Sequence, residues 1–246
     1  MENRLTRRSM IGLVTGLPFS LSCDAPTQPA AQVAPANVLV GLDPTGSLAP
    51  EGYSGRTEFD RGVAALEELV DKFPAASQLT IAAITQQSLS RPWQLLSARS
   101  PKSVRRYRDA LKPWKNRVKA TVKQLGLLKG ETDLFGFLIY AQDFFRVSHH
   151  RKVLVLISDL RASVTLNLED QAEVERELAS DLRRTKDLQL LADLTGIRIH
   201  CLWLHGGDRT PRYWALLRDY WHRYFQESRG DLRQLSMEWN LEEIFK

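Results

Sequence analysis

Two aspartates, Asp43 and Asp159, each follow a run of β-branched and aliphatic residues. Three hydroxyls, Thr45, Ser47 and Thr132, stand in similar turn-like surroundings. Carboxylate and hydroxyl oxygens are hard donors, and gathered in one place they suit a hard divalent cation, Mg²⁺ foremost, with Mn²⁺ or Ca²⁺ as alternatives. Taken singly, each has a plain structural role: Asp43-Pro44-Thr45-Gly46-Ser47 is a good turn sequence, and an Asp after a buried strand often caps the next helix. The conjunction of three such loops is what points to a site.

These residues need strands that end at one edge. Asn37 to Leu42 reads as a strand buried on both faces, and Lys152 to Ser158 (KVLVLIS) as the clearest buried strand in the chain. Thr57 is placed to cap a helix to about Phe73, with Phe59, Val63, Leu66 and Val70 at helical spacing. Leu79 to Ile84 predicts a second strand, Trp93 to Leu96 a short third at an edge, and Ile197 to Leu204 another buried one. Further helices are expected over Ser100 to Leu125 (strongly basic), from the Thr132 turn to about Phe145, and from about Glu169 to Leu194, with Gly196 as the stop. The remainder, from Pro211 on, reads as helical, with no strand evident after Ser228. Its Trp214, Tyr220, Trp221, Tyr224 and Phe225 suit a helix covering a sheet. Strand and helix in alternation predict an α/β fold, a doubly wound and mostly parallel central sheet with helices on both faces. In strand order 3-2-1-4 the strands ending at Asp43 and Asp159 are neighbours, and a crevice opens between their carboxyl ends.

The set Asp43, Thr45, Ser47, Thr132 and Asp159 resembles the metal-ion-dependent adhesion site of the von Willebrand factor type A domain, over roughly Asn37 to Leu204. That family has Asp-x-Ser-x-Ser after the first strand, a Thr from a middle loop and an Asp after a later strand. Here Thr45 replaces the first Ser. The resemblance implies that Thr45, Ser47 and Thr132 hold the metal directly and that Asp43 and Asp159 act largely through water. It also implies an open position that takes a carboxylate from a protein partner.

The first 23 residues carry a basic head and an apolar stretch from Met10 to Leu21 that is too short to span a bilayer, which predicts an export signal. Thr6-Arg7-Arg8-Ser9-Met10-Ile11 resembles a twin-arginine signal, and Ser22-Cys23 resembles a lipoprotein cleavage and acylation site. Ser20 and Leu21 depart from the usual lipoprotein pattern. Asp24 after the Cys resembles an inner-membrane retention signal. The implied address is the bacterial cell envelope, on the periplasmic face of the inner membrane and anchored through Cys23. Residues 24–36, rich in Pro and Ala, suit a tether, and 37–246 form the domain.

Of the formal charge of +5, Arg4, Arg7, Arg8 and Glu2 belong to the leader, which leaves +3 on the rest. So small an excess argues against nucleic acid as the partner. Cys201, inside a strand, reads as a core thiol rather than a partner for Cys23. The expected function is a non-enzymatic protein-binding module. A metal-independent assembly subunit is the alternative, and a Mg²⁺-dependent phosphate hydrolase with Asp43 as nucleophile is a third. The third lacks the second Asp that haloacid dehalogenase-like phosphatases carry two residues on, where this chain has Thr45.

Overall fold

The computed structural model describes residues 34–44, 58–100, 130–204, 209–238 and 240–245, with isolated positions between 113 and 121. The leader, Cys23, most of the tether, Thr45, Ser47, Thr57 and most of the basic segment Ser100 to Leu125 lie outside the described residues.

Six strands form one sheet: β1 (Ala36–Leu42), β2 (Gln78–Ala83), β3 (Trp93–Arg99), β4 (Arg151–Ser158), β5 (Ile197–Trp203) and β6 (Asp231–Ser236), in the order β3-β2-β1-β4-β5-β6. All neighbouring pairs are parallel except β2 with β3. The expected doubly wound α/β architecture is therefore present. β3 runs longer than the four residues the sequence suggests, and as an antiparallel edge strand it can leave Trp93 exposed on its open side.

Alternate residues of the central strands feed two separate cores. Val38, Val40, Leu42, Val153, Val155 and Ile157 pack with Leu66, Leu69 and Val70 of α1 (Glu58–Asp71). Leu39, Leu154, Leu156, Ile199 and Cys201 pack with Phe135, Phe137 and Phe145 of α2 (Leu134–Arg146), and with the aromatics of the helix that precedes β6. Because both faces are buried, the strands read as continuous apolar runs rather than alternating ones.

Two close approaches fix α2 against the sheet. A Cβ on Gly41 would sit 2.5 Å from the Phe137 ring, so only Gly lets β1 and α2 pack this tightly. At the start of α2, Asp133 caps the helix by accepting from the Gly136 N–H at 2.8 Å, and a Cβ on Gly136 would fall directly on that carboxylate. Gly136→Ala is therefore expected to destabilise the chain by about 1 kcal/mol in denaturant titration, the usual worth of a cap, although Ala is the better helix former. A variant more stable than wild type would show that the cap carries nothing.

Two expectations fail. The segment from Glu169 to Leu194 is not one helix but α3 (Gln171–Ala179) and a single turn, α4 (Arg183–Asp187), with non-helical chain after it. Asp181 and Leu182 at the break have φ of 57° and 54°, outside the helical region. The chain tolerates the break because the buried Glu177 carboxylate accepts from both the N–H and the hydroxyl of Thr185, at 3.0 and 2.8 Å.

The second failure is β6, where no strand was expected. Leu232 and Leu235 are three residues apart, which looks helical. The register shifts between Ile199 and His200, so Leu232 pairs with Ile199, Gln234 with His200 and Leu235 with Cys201. The extra residue, Arg233, forms a bulge that puts both leucines on the face that Ile199 and Cys201 occupy. After α5 (Pro211–Glu227) the chain turns through Arg229, at φ of 57°, and Gly230 lies so close to Ile199 that a Cβ there would sit 2.5 Å from its Cδ1; the one-turn helix α6 (Leu241–Ile244) closes the opposite face.

Candidate functional site

β1 and β4 are paired along their whole length, with Leu42 opposite Ile157, so their carboxyl ends coincide. The ladder runs one residue further, because the Asp43 N–H donates to the Ile157 carbonyl at 2.9 Å. This places the Asp43 carboxylate beside Ser158, whose hydroxyl donates to Asp43 Oδ2 at 2.7 Å. The same Ser158 oxygen accepts from the Leu160 N–H at 2.9 Å, which turns the chain sharply past Asp159. Leu160 takes φ of 61°, a left-handed conformation costly for a non-glycine residue, so the surroundings must hold it there.

Thr132 reaches the same edge. The Asp133 N–H donates to the carbonyl of Thr85, just past β2, at 3.2 Å. On the other side Thr132 is tied to the loop after β4: its N–H donates to the Ser163 hydroxyl at 2.9 Å and its carbonyl accepts from the Ser163 N–H at 3.0 Å. Thus Asp43, Thr132 and Asp159, each buried, stand on three loops linked by hydrogen bonds at one end of the sheet. The sequence-predicted Thr45 and Ser47 lie outside the described residues.

The loop after β4 is held by aromatic donors from β5 and α5. Trp203 Nε1 donates to the Asp159 carbonyl at 3.1 Å, Trp221 Nε1 to the Leu160 carbonyl at 2.9 Å, and the Tyr213 hydroxyl to the Leu168 carbonyl at 2.7 Å. Burial pushes the Tyr213 phenol well above its ordinary value, so it acts as a neutral donor. The C-terminal aromatics therefore do two things, filling the core and pinning the site loop.

The residue the sequence reading missed is Arg161. Its Nε donates to Asp159 Oδ2 at 2.7 Å and its backbone N–H donates to Asp159 Oδ1 at 3.0 Å; the two side chains are 4% and 0% exposed. The guanidinium carbon lies 5.8 Å from the Trp214 ring centre, within cation–π range. The signal was present as an Arg two residues after the Asp, but a side chain's partner is set by the turn at Leu160, which the sequence does not display.

The donor set fits a hard cation in kind. Among the described residues no three His, Cys, Asp or Glu side chains gather as a metal site. A cation here would therefore draw on the Thr132 hydroxyl together with the two carboxylates, and oxygen-only coordination of that sort is what Mg²⁺ takes. Both Asp159 oxygens already accept one hydrogen bond, and each retains a further lone pair.

No protein-family model matches the chain, and no curated protein matches it in sequence. Solved structures do. The PilB minor pilin from Streptococcus sanguinis is 14% identical, with 89% of this chain and 60% of that chain covered at a TM-score of 0.52. The conserved hypothetical protein BatB from Bacteroides thetaiotaomicron is 12% identical, covering 82% and 91%, with a TM-score of 0.48. A von Willebrand factor type A structure from Catenulispora acidiphila is 16% identical, covering 86% and 41%, with a TM-score of 0.46. The chain spans less than two thirds of the length of the first and third of these. At such identities the likeness is one of fold alone, and that fold is the doubly wound, mostly parallel α/β sheet described above.

Proposed function

We propose that this chain is a non-enzymatic protein-binding module of the von Willebrand factor type A kind. It would engage its partner at the carboxyl end of the sheet through a divalent cation, Mg²⁺ foremost. Asp43, Thr132 and Asp159 would hold the cation, with Thr45 and Ser47 as the further donors the sequence supplies. The observation that carries the reading is the junction of the β1 and β4 ends, where Ser158 donates to Asp43 at 2.7 Å and Asp159 follows next in the chain.

In this arrangement Ser158 fixes the Asp43 carboxylate, the Ser163 backbone and hydroxyl fix Thr132, and Trp203 fixes the turn at Asp159. When bound, the cation supplies a positive centre with an open coordination position. Hydroxyl donors leave that charge poorly compensated, so a partner carboxylate is the favoured ligand. The proposal extends to an exported chain attached through Cys23 to the periplasmic face of the inner membrane. A lipid at Cys23 would be the means of attachment; among the described residues no helix is long and apolar enough to cross a membrane.

Calorimetric titration with Mn²⁺ tests the metal site. Wild type is expected to bind, and Asp43→Ala to weaken binding at least about tenfold, as loss of a close charge does. Identical titrations would remove the site. Mass spectrometry of the membrane-extracted protein tests the lipid at Cys23.

A further inference from the structure

Asp159 is not an open carboxylate. Arg161 Nε occupies Oδ2 at 2.7 Å, the Arg161 N–H occupies Oδ1 at 3.0 Å, and the whole pair is sealed from solvent. The Trp214 ring flanks the guanidinium, and the Leu160 turn that brings Arg161 back onto Asp159 is itself held by Ser158 and Trp221. A buried ion pair loses the hydration of both charges, so a chain gains little stability from one. An apolar pair would fill the same space. What the pair does accomplish is to place a fixed positive charge on the carboxylate that a cation would use.

We infer that Arg161 is an internal counter-ion to Asp159 that weakens divalent-cation binding at this end of the sheet. The inference rests on the metal-site reading above. A cation approaching Asp43, Thr132 and Asp159 meets the guanidinium charge at close range and in a poorly screened interior. A cation drawing on Asp159 Oδ2 also draws charge away from the hydrogen bond that the Arg161 Nε–H donates to it, so binding works against the ion pair. The affinity of the site is thus set by this chain's own side chain as much as by its donors, and whatever displaces Arg161 raises it.

The test compares the Mn²⁺ affinity of the full chain, by calorimetry, for wild type, Arg161→Gln and the double variant Asp43→Ala with Arg161→Gln. Binding about tenfold or more tighter in Arg161→Gln than in wild type, and weakened again by about tenfold or more in the double variant, is the expected result. Equal affinity in wild type and Arg161→Gln overturns the inference and leaves the metal site standing. Binding in none of the three overturns both. Because Arg161→Gln leaves a buried carboxylate without its partner and could fail to fold, the wild-type protein supplies a second measurement. The Arg161 Nε–H resonance, followed by NMR during titration with Mg²⁺ to tens of millimolar, is expected to move from its hydrogen-bonded position as the ion pair weakens. A resonance that stays in place throughout overturns the inference without any variant.

Discussion

Trp221→Ala is expected to lower the unfolding free energy by about 3–5 kcal/mol, a large part of the stability of an ordinary domain. Trp221 is fully buried in α5, with ring centres 5.6 Å from Phe135 and 5.2 Å from Tyr224. Removing the indole opens a cavity between the helix and the sheet. It also strips the Leu160 carbonyl of its donor at 2.9 Å. Trp221→Phe separates the two losses, since it keeps most of the apolar volume and gives up only the N–H. An unsatisfied buried carbonyl costs about 1–3 kcal/mol, so this variant should fall between wild type and Trp221→Ala in urea titration. If Phe and Ala lose equally, packing carries little and the bond to Leu160 carries the effect. If Phe costs nothing, the hydrogen bond is dispensable and the Leu160 turn stands without it.

Acid is expected to remove about 3 kcal/mol of stability between pH 7 and pH 4 through His200 alone, from a shift of roughly 2.5 pH units at about 1.4 kcal/mol each. His200 lies in β5 at 2% exposure, and among the described residues neither ring nitrogen has a hydrogen-bond partner. Burial, followed by the nearby Arg198 and Arg233, lowers its pKa from 6.5 to about 4, while Asp231 and Glu243 pull weakly the other way. The folded state thus stays neutral where the unfolded chain already binds a proton. The contribution is complete above pH 6.5, shrinks as pH falls toward 4, and changes no further below that. His200→Leu should remove this part of the pH slope, because it leaves nothing to protonate and no ring nitrogen without a partner. Denaturant titrations of both proteins at pH 4, 5, 6 and 7 would show it. Parallel pH curves for the two would mean that His200 is hydrated or hydrogen-bonded in solution.

How much was legible beforehand depends on how local the cause is. β1, β2 and β4 could be read because a strand buried on both faces is close to a continuous apolar run, as in residues 38–42, 79–84 and 153–157; β5 could be read from Cys201 to Leu204 despite Arg198 and His200 before them. The order 3-2-1-4 expected of a doubly wound sheet makes the strands ending at Asp43 and Asp159 neighbours, and the sheet has that order, with β3 joining antiparallel at the edge. β6 was hidden because a bulge converts period two into a spacing of three between Leu232 and Leu235. The break after α3 was hidden because residues 181 and 182 are ordinary helix-compatible types. Their left-handed backbone is sustained by Glu177 and Thr185 across the turn rather than by anything in their own side chains.

The sequence alone determined the class of fold and the sheet edge at which Asp43 and Asp159 stand. Hydrophobic runs and their order fix which strands are central, and the residue that ends each strand follows by covalent connection. Tertiary structure decided the electrostatic state of that edge. Ser158 turns its hydroxyl to Asp43, Leu160 accepts a strained turn, and Arg161 folds back onto Asp159 beneath Trp214. Each is a side-chain partnership chosen by close packing and by the cost of leaving buried charge unpaired, and such costs arise only once the interior has closed.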